Sequence, residues 1–179
     1  AGLGYYSRAR NLHKTAQIIL SLYGGIFPKT YSEVIALPGV GKSTAGAILS
    51  LTHNQPYAIL DGNVKRVLAR YHRVEGHYSS SYVMNELWRL AELHTPEEQN
   101  AEYTQAIMDV GATVCNPKKP NCQSCPISKN CGAFVHNQQD IYPNKKTKKI
   151  KPERSIVFLI YKNERGEIHL KKRPSQGIW

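Results

Sequence analysis

Leu37-Pro38-Gly39-Val40-Gly41-Lys42-Ser43-Thr44-Ala45-Gly46-Ala47-Ile48-Leu49, followed after a short connector by Ile59-Leu60-Asp61-Gly62-Asn63-Val64-Lys65-Arg66-Val67-Leu68-Ala69-Arg70, is the stretch whose reading decides the fold. Its first five residues form a tight turn between two helical patterns. Pro38 fixes its own φ, and Gly39 and Gly41 are expected to supply backbone angles and close approaches that a β-carbon would block. The helix beyond the turn opens at about Lys42, so its first amides, which have no intrahelical partners, face out of the turn as an anion site. For a basic protein the commonest large anion is a DNA phosphate. This is the helix-hairpin-helix pattern, although an ordinary helix–helix corner carries the same local signature.

The second half places Asp61-Gly62-Asn63 just before a periodic basic helix in which Val64, Val67 and Leu68 alternate with Lys65, Arg66 and Arg70. An aspartate at a helix entrance is first of all an N-cap. The positive end of the helix dipole also favours its ionised form. A fixed carboxylate beside a phosphate-gripping turn suits chemistry that builds positive charge on a deoxyribose. Cap and catalyst therefore stand as alternative readings of Asp61.

Composition narrows the class. The chain has 179 residues, 41% of them hydrophobic, which is enough for a packed core and for one domain with part of another. A net charge of +11 and a pI near 9.6 point to nucleic acid or another anionic surface as partner. No apolar run approaches the roughly 18 residues of a membrane span, and no signal peptide is present, so a monomer in the cytoplasm or nucleoid is expected. Neither end reads as a natural terminus. The chain opens without Met at Ala1-Gly2-Leu3-Gly4-Tyr5-Tyr6 and stops at Gly177-Ile178-Trp179, as the middle of a longer protein would.

Outward from the decisive stretch the pattern stays helical. Leu12, Ala16, Ile19, Leu20 and Tyr23 recur at helical spacing from about Ser7, and Gly24-Gly25 ends that helix. Thr30 or Ser32 caps a short helix into the hairpin, and Lys42 to about Thr52 is its partner. Ser79 or Ser80 caps a helix carrying Val83, Leu87, Leu90 and Leu93 on one side. Thr95-Pro96-Glu97-Glu98 reads as a further helix entrance, with Tyr103, Ala106, Ile107 and Val110 inward and a stop at Gly111. One aromatic of the Tyr5-Tyr6 pair belongs to the core; the other is suited to wedge into a base stack.

Four cysteines follow, Cys115, Cys122, Cys125 and Cys131, spaced C-x6-C-x2-C-x5-C, and the chain has no others. In a cytosolic basic protein such a set means metal, as structural zinc or an iron–sulfur cluster. The compact single run fits a [4Fe–4S] cluster better than the two separated C-x2-C pairs usual for zinc ribbons. Lys118 and Lys119, inside the first cysteine loop, would be held outward toward phosphate. Residues 136–153, with Asn144-Lys145-Lys146-Thr147-Lys148-Lys149 between Pro143 and Pro152, read as a basic linker. Ser155–Tyr161 and Ile168–Lys172, joined by a turn at Asn163–Gly166, read as a β-hairpin. The expected organisation is a helical domain over 1–135, the linker, and the start of a second domain over 154–179.

These residues closely resemble the adenine DNA glycosylases of the MutY type, in the endonuclease III superfamily. The resemblance spans essentially the whole chain and rests on Gly2–Tyr6, Leu37–Gly41, Ile59–Val64 and the cysteine run. It implies a mainly α helix-hairpin-helix glycosylase fold, removal of adenine mispaired with 8-oxoguanine or guanine in double-stranded DNA, and a [4Fe–4S] cluster on the four cysteines. By the same resemblance Asp61 is the catalytic carboxylate, Asn63 supports it, and Tyr5 wedges beside the oxidised guanine. Gly39, Gly41, Lys42, Ser43, Lys65, Lys118 and Lys119 fall on the DNA side. Lyase relatives carry a nucleophilic lysine at the position of Ser43. Lys42 lies one residue earlier and about 100° around the helix, so a monofunctional glycosylase is expected, with Lys65 able to trap the product sugar weakly. The family's general-acid glutamate has no counterpart here, and this stretch alone is expected to be inactive. Residues 154–179 resemble the first hairpin of a truncated Nudix-like α+β domain. A bifunctional pyrimidine glycosylase/lyase of the endonuclease III type and a non-enzymatic DNA-binding module are the rival readings.

Overall fold

Capped amphipathic segments separated by short turns fold into a helical array, seen in a computed structural model that describes residues 6–146 and, beyond them, 152–153, 155–157 and 159–170. The helices are α1 (Tyr6–Tyr23), α2 (Tyr31–Ile35), α3 (Lys42–His53), α4 (Gly62–Tyr71), α5 (Ser81–His94), α6 (Asn100–Asp109) and α7 (Gly132–Val135). Helix α6 runs directly into a π-helical turn, Val110–Val114, and two 3-10 turns, Cys122–Ser124 and Ser128–Asn130, shape the cysteine loop. The chain divides into two compact units, 1–146 and 147–179.

In the first unit the main core joins α4 and α5 to the extended segment before α4, through Ile59, Leu60, Val64, Leu68, Val83, Leu87 and Leu90. A second cluster, Val34, Ala45 and Leu49, locks the hairpin helices α2 and α3 together, and Tyr31 stacks on Tyr57 at 4.7 Å beside it. Of the two candidate caps, Thr30 starts α2, in a reciprocal capping box with Glu33.

On α1, Leu12 and Leu20 are 71% and 72% exposed, Ile19 and Tyr23 are half-buried, and Thr15 is the buried residue. Two expectations are corrected. Helix α6 starts at Asn100, five residues beyond Thr95, because Gln99 adopts a left-handed φ of 57° and turns the chain onto the end of α3. There Asn54 Oδ1 accepts from the Ala101 amide at 3.1 Å, and the Asn100 carbonyl accepts from Ser50 Oγ at 3.0 Å. The buried face of α6 is accordingly polar, Asn100 and Thr104, with Ala106 exposed and Tyr103, Ile107 and Val110 half-buried. Last, residues 138–144 of the expected linker are held against α4: Tyr142 is buried, and the Gln139 and Tyr142 carbonyls accept hydrogen bonds from Arg70.

In the second unit, Asn163 Oδ1 accepts from the Arg165 and Glu167 amides and closes the expected turn. A single antiparallel bridge, Lys162–Ile168, follows, and among the described residues the ladder goes no further. Leu159 and Leu170 are exposed. Phe158, Lys171 and Lys172 lie outside the described residues, as does Tyr5.

Candidate active site

The hairpin turn works through one glycine. Val40 N donates to the Leu37 carbonyl at 3.1 Å across Pro38-Gly39, and Gly39 has φ +80°, the geometry of a type II turn. A β-carbon there would also lie 2.8 Å from Asn11 Nδ2, because α1 packs over the turn and Thr15 Oγ1 donates to the Pro38 carbonyl at 3.1 Å. Gly41 corrects the expectation that both glycines are conformationally required. It caps α3 in ordinary extended backbone (φ −101°, ψ 174°), and a β-carbon at this position would meet nothing within 4 Å. The space at Gly41 lies open in front of the first amides of α3, which have no partners within the helix.

Helix α3 is joined to the segment that delivers Asp61. A β-carbon on buried Gly46 would stand 2.5 Å from the Ala58 carbonyl oxygen, so helix and strand-like segment meet backbone to backbone. Ser43 Oγ accepts from the Leu60 amide at 2.9 Å, one residue before Asp61. Asp61 itself is half-buried and is the N-cap of α4: its Oδ1 accepts from the Val64 amide at 2.8 Å. Among the described residues it takes part in no ion pair. The turn and the carboxylate are thus parts of one rigid assembly.

Asn63 is held from below. Its Oδ1 accepts from Arg66 Nη2 at 2.8 Å, and the same nitrogen donates to the Gly111 carbonyl at 2.6 Å, while Arg66 Nε donates to the Cys115 carbonyl at 2.7 Å. The π-helical turn makes this possible by carrying Gly111 against α4, where a β-carbon would be 2.6 Å from Asn63 Cβ. Single-turn π segments of this kind are frequent at functional sites.

All four cysteines line one cavity, whose wall opposite the loop is formed by Val67 and Arg70 of α4. Burial pushes the Cys122 and Cys125 thiols above the usual range. Among the described residues no three Cys, His, Asp or Glu side chains converge closely enough to hold one ion. Four thiols around one cavity are a donor set that suits an iron–sulfur cluster and also a zinc ion. Lys118 and Lys119 are exposed on this loop, and Lys118 borders a groove with Gly62, Arg66, Tyr78 and Lys145 that runs to the start of α4.

Lys65 stays near this groove, its Nζ 5.7 Å from the ring centroid of Tyr78. Lys42 lies apart: it turns away to α5, where its Nζ pairs with Glu92 Oε1 at 2.8 Å and sits 4.1 Å from the Trp88 ring centroid. Sequence reasoning missed the roles of Gly46, Gly111 and the arginines of α4. Arg66 and Arg70 were read only as basic residues of a periodic helix, yet their i, i+4 spacing puts them on one helix face with Asn63, and Arg70 is only 3% exposed.

Residues 1–93 match the model of the HhH-GPD superfamily base excision DNA repair proteins. The whole chain is 46% identical to the adenine DNA glycosylase of Buchnera aphidicola subsp. Acyrthosiphon pisum (strain APS), covering 51% of it, and 45% identical to that of Buchnera aphidicola subsp. Baizongia pistaciae (strain Bp), covering 50%. It is 41% identical over 141 residues to the human adenine DNA glycosylase, a match that covers 78% of this chain and 26% of that one. The chain therefore spans about half the length of the Buchnera relatives. Among solved structures it is similar to a thermostable thymine-DNA glycosylase (TM-score 0.62, 35% identity, 72% of this chain and 59% of that one). A non-covalent endonuclease III–DNA complex is also similar (TM-score 0.60, 27% identity, 75% and 61%). With a capped aspartate tied by Ser43 to a glycine hairpin, and a family model matched over more than half its length, this chain belongs to the HhH-GPD superfamily of base excision DNA repair proteins.

Proposed function

We propose that the protein to which this chain belongs is a monofunctional adenine DNA N-glycosylase that removes adenine opposite 8-oxoguanine or guanine. The observation that supports the reading is the Ser43–Leu60 link, which ties the helix opened by the glycine turn to the residue preceding Asp61. The hairpin holds a backbone phosphate at the open space before α3, and the target adenine is flipped out of the stack. As the N-glycosidic bond lengthens, positive charge develops on the deoxyribose, as in glycoside cleavage. Asp61 stabilises that charge as an anion while its other role, capping α4, fixes its position. Asn63, held by Arg66, shapes the same pocket. Ser43 spends its hydroxyl on the Leu60 amide, so no amine stands at the lyase position. Tyr5 wedges beside the opposite base, and Lys65, Lys118 and Lys119 contact the strand.

Cys115, Cys122, Cys125 and Cys131 hold a [4Fe–4S] cluster, which when bound braces the loop that presents Lys118 and Lys119. Residues 154–179 begin a Nudix-like domain that helps read 8-oxoguanine. The protein works as a monomer in the cytoplasm or nucleoid.

Single-turnover assays of the full-length protein on A:8-oxoguanine, A:G and T:G duplexes test the reading. Release of adenine from the first two is expected. Release of thymine alone, or a borohydride-trapped covalent adduct on damaged-pyrimidine DNA at wild-type excision rates, overturns it in favour of another glycosylase class. Salt-dependent binding with no base release would reduce the protein to a DNA clamp.

A further inference from the structure

Arg70 is buried with its charge in an unusual setting. Its Nε donates to the carbonyls of Tyr142 (2.9 Å) and Gln139 (3.1 Å). Nη2 donates to the Pro117 carbonyl at 3.1 Å. Nη1 donates to the Asn116 carbonyl at 2.8 Å and approaches the Cys115 carbonyl at 3.5 Å and its sulfur at 3.3 Å. The oxygen acceptors are all neutral, and among the described residues no carboxylate lies within 4 Å of the guanidinium. Carbonyls solvate a cation but do not balance it. An arginine keeps its charge on burial, so an unmatched one at 3% exposure is a standing cost to the fold.

Asp140 borders the outer groove that Arg70 also lines, but it is exposed and makes no ion pair with it, so on the buried side the counter-charge has one place to be. Arg70 forms a wall of the cavity lined by Cys115, Cys122, Cys125 and Cys131, and the other lining residues are uncharged. Four thiolates outweigh the small positive charge of an iron–sulfide core, in which the sulfides already offset most of the iron's charge, as they do that of a zinc ion, so an occupied centre is a net anion. We propose that Arg70 is the built-in counter-ion of the four-cysteine centre, placed so that α4 balances the charge of the occupied loop and holds the centre's reduction potential up. This rests on the iron–sulfur reading of the cysteines. The same guanidinium ties both ends of the loop, residues 115–117 and 139–142, to α4, which makes the loop's closure depend on the centre being anionic.

A clasp and a counter-ion differ in what a lysine can replace. Arg70→Gln is neutral and still a hydrogen-bond donor; Arg70→Lys keeps the charge and gives up the planar fork. Both are made in the full-length protein, purified without oxygen. Iron per protein, iron loss to a chelator and the potential by voltammetry are read. Arg70→Gln should lose iron to the chelator roughly 10-fold faster or more, the scale for an outer-shell partner of a metal ligand, and its potential should fall below that of wild type. Arg70→Lys should stay near wild type in both. Equal losses in the two variants, including failure of both to fold, would show that the fork rather than the charge matters and would overturn the proposal. So would a wild-type potential and iron retention in Arg70→Gln. An iron-free, zinc-bearing wild type would overturn the iron–sulfur reading instead, and the charge argument would then be decided by zinc retention in the same two variants.

Discussion

Gly111→Ala tests whether the π-helical turn sets the position of the proposed catalytic residues. The added methyl would stand 2.6 Å from Asn63 Cβ, 3.1 Å from its carbonyl carbon and 3.2 Å from its Cα. Carbon atoms in contact prefer about 3.5–4.0 Å, so the π-helical turn and the first turn of α4 must part by about 1 Å. None of the three atoms is the far end of a flexible side chain, so the backbone has to move. Overpacking of this kind costs roughly 1–3 kcal/mol, of which the better helix propensity of alanine returns at most about 1 kcal/mol. With that return taken in full, the net of about 0–2 kcal/mol corresponds to a melting point lower by about 0–8 °C. The larger effect falls on chemistry. Asn63 and Asp61 share the entrance of α4, and a displacement of about 1 Å at reacting groups can cost on the order of 10²-fold in rate. Single-turnover adenine release by the full-length variant, at a temperature where circular dichroism shows it folded, should therefore drop between ~10-fold and ~100-fold. Gly62→Ala is the control: it lies in the same turn, a β-carbon there meets nothing within 4 Å, and it should be as stable as wild type or more stable by about 0.4–1 kcal/mol. A Gly111→Ala protein that melts and excises like wild type would show that Asn63 is not placed by this contact.

Asp61→Asn separates cap from catalyst, because asparagine caps a helix about as well as aspartate but carries no charge. Its melting point should hardly move while single-turnover excision falls at least ~10²-fold, a loss on the order of 3–4 kcal/mol; wild-type excision would remove Asp61 from the mechanism. Gly46→Ala would drive a methyl to 2.5 Å from the Ala58 carbonyl and should destabilise by roughly 1–3 kcal/mol in urea unfolding, more than Gly41→Ala, where the space is open. His72 gives the pH dependence. Burial, then His94 and Arg89, hold its pKa below 6.5, so the unfolded chain binds the proton more readily. Its contribution is present above pH 6.5 and is lost as pH falls below that value, and His72→Gln should flatten the fall in melting temperature as the pH is lowered through that value. An unchanged slope would place the titration elsewhere.

The boundaries of α2, α3 and α4 were legible because local chemistry marks them: Thr30 with Glu33, the Pro38-Gly39 turn and Asp61 declare them within a few residues, whereas the short α7 carries no such signal and was not expected. What could not be read was contact between segments far apart in sequence. Gly46 and Gly41 look alike along the chain, yet one abuts the Ala58 carbonyl and the other faces open space. The entrance of α6 was misplaced because Thr95-Pro96-Glu97-Glu98 has good capping chemistry, whereas the docking of Asn100 on Ser50 fixes the start tertiarily. The apolar spacing of α1 correctly marks a helix but says nothing of what covers it. At the site, Asp61 and the cysteines stood out as residue types with a spacing, while Arg66 and Arg70 were hidden by the chain's own basicity.

That concealment bears on how the two proposed centres relate. Helix α4 has ten residues, and three of them, spaced by helical periodicity, face one way: Asn63, Arg66 and Arg70. The first belongs to the proposed pocket, the second reaches the Cys115 carbonyl, and the third reaches the Cys115 sulfur. A rigid helix transmits displacement along its axis without needing a chain of side-chain rearrangements. Any change that shifts Cys115 therefore acts on the entrance of α4 through two guanidinium groups at once. Cys115→Ser in the full-length protein should lower single-turnover adenine excision even where DNA binding through the hairpin persists, since the hairpin is anchored independently by α2 and α3.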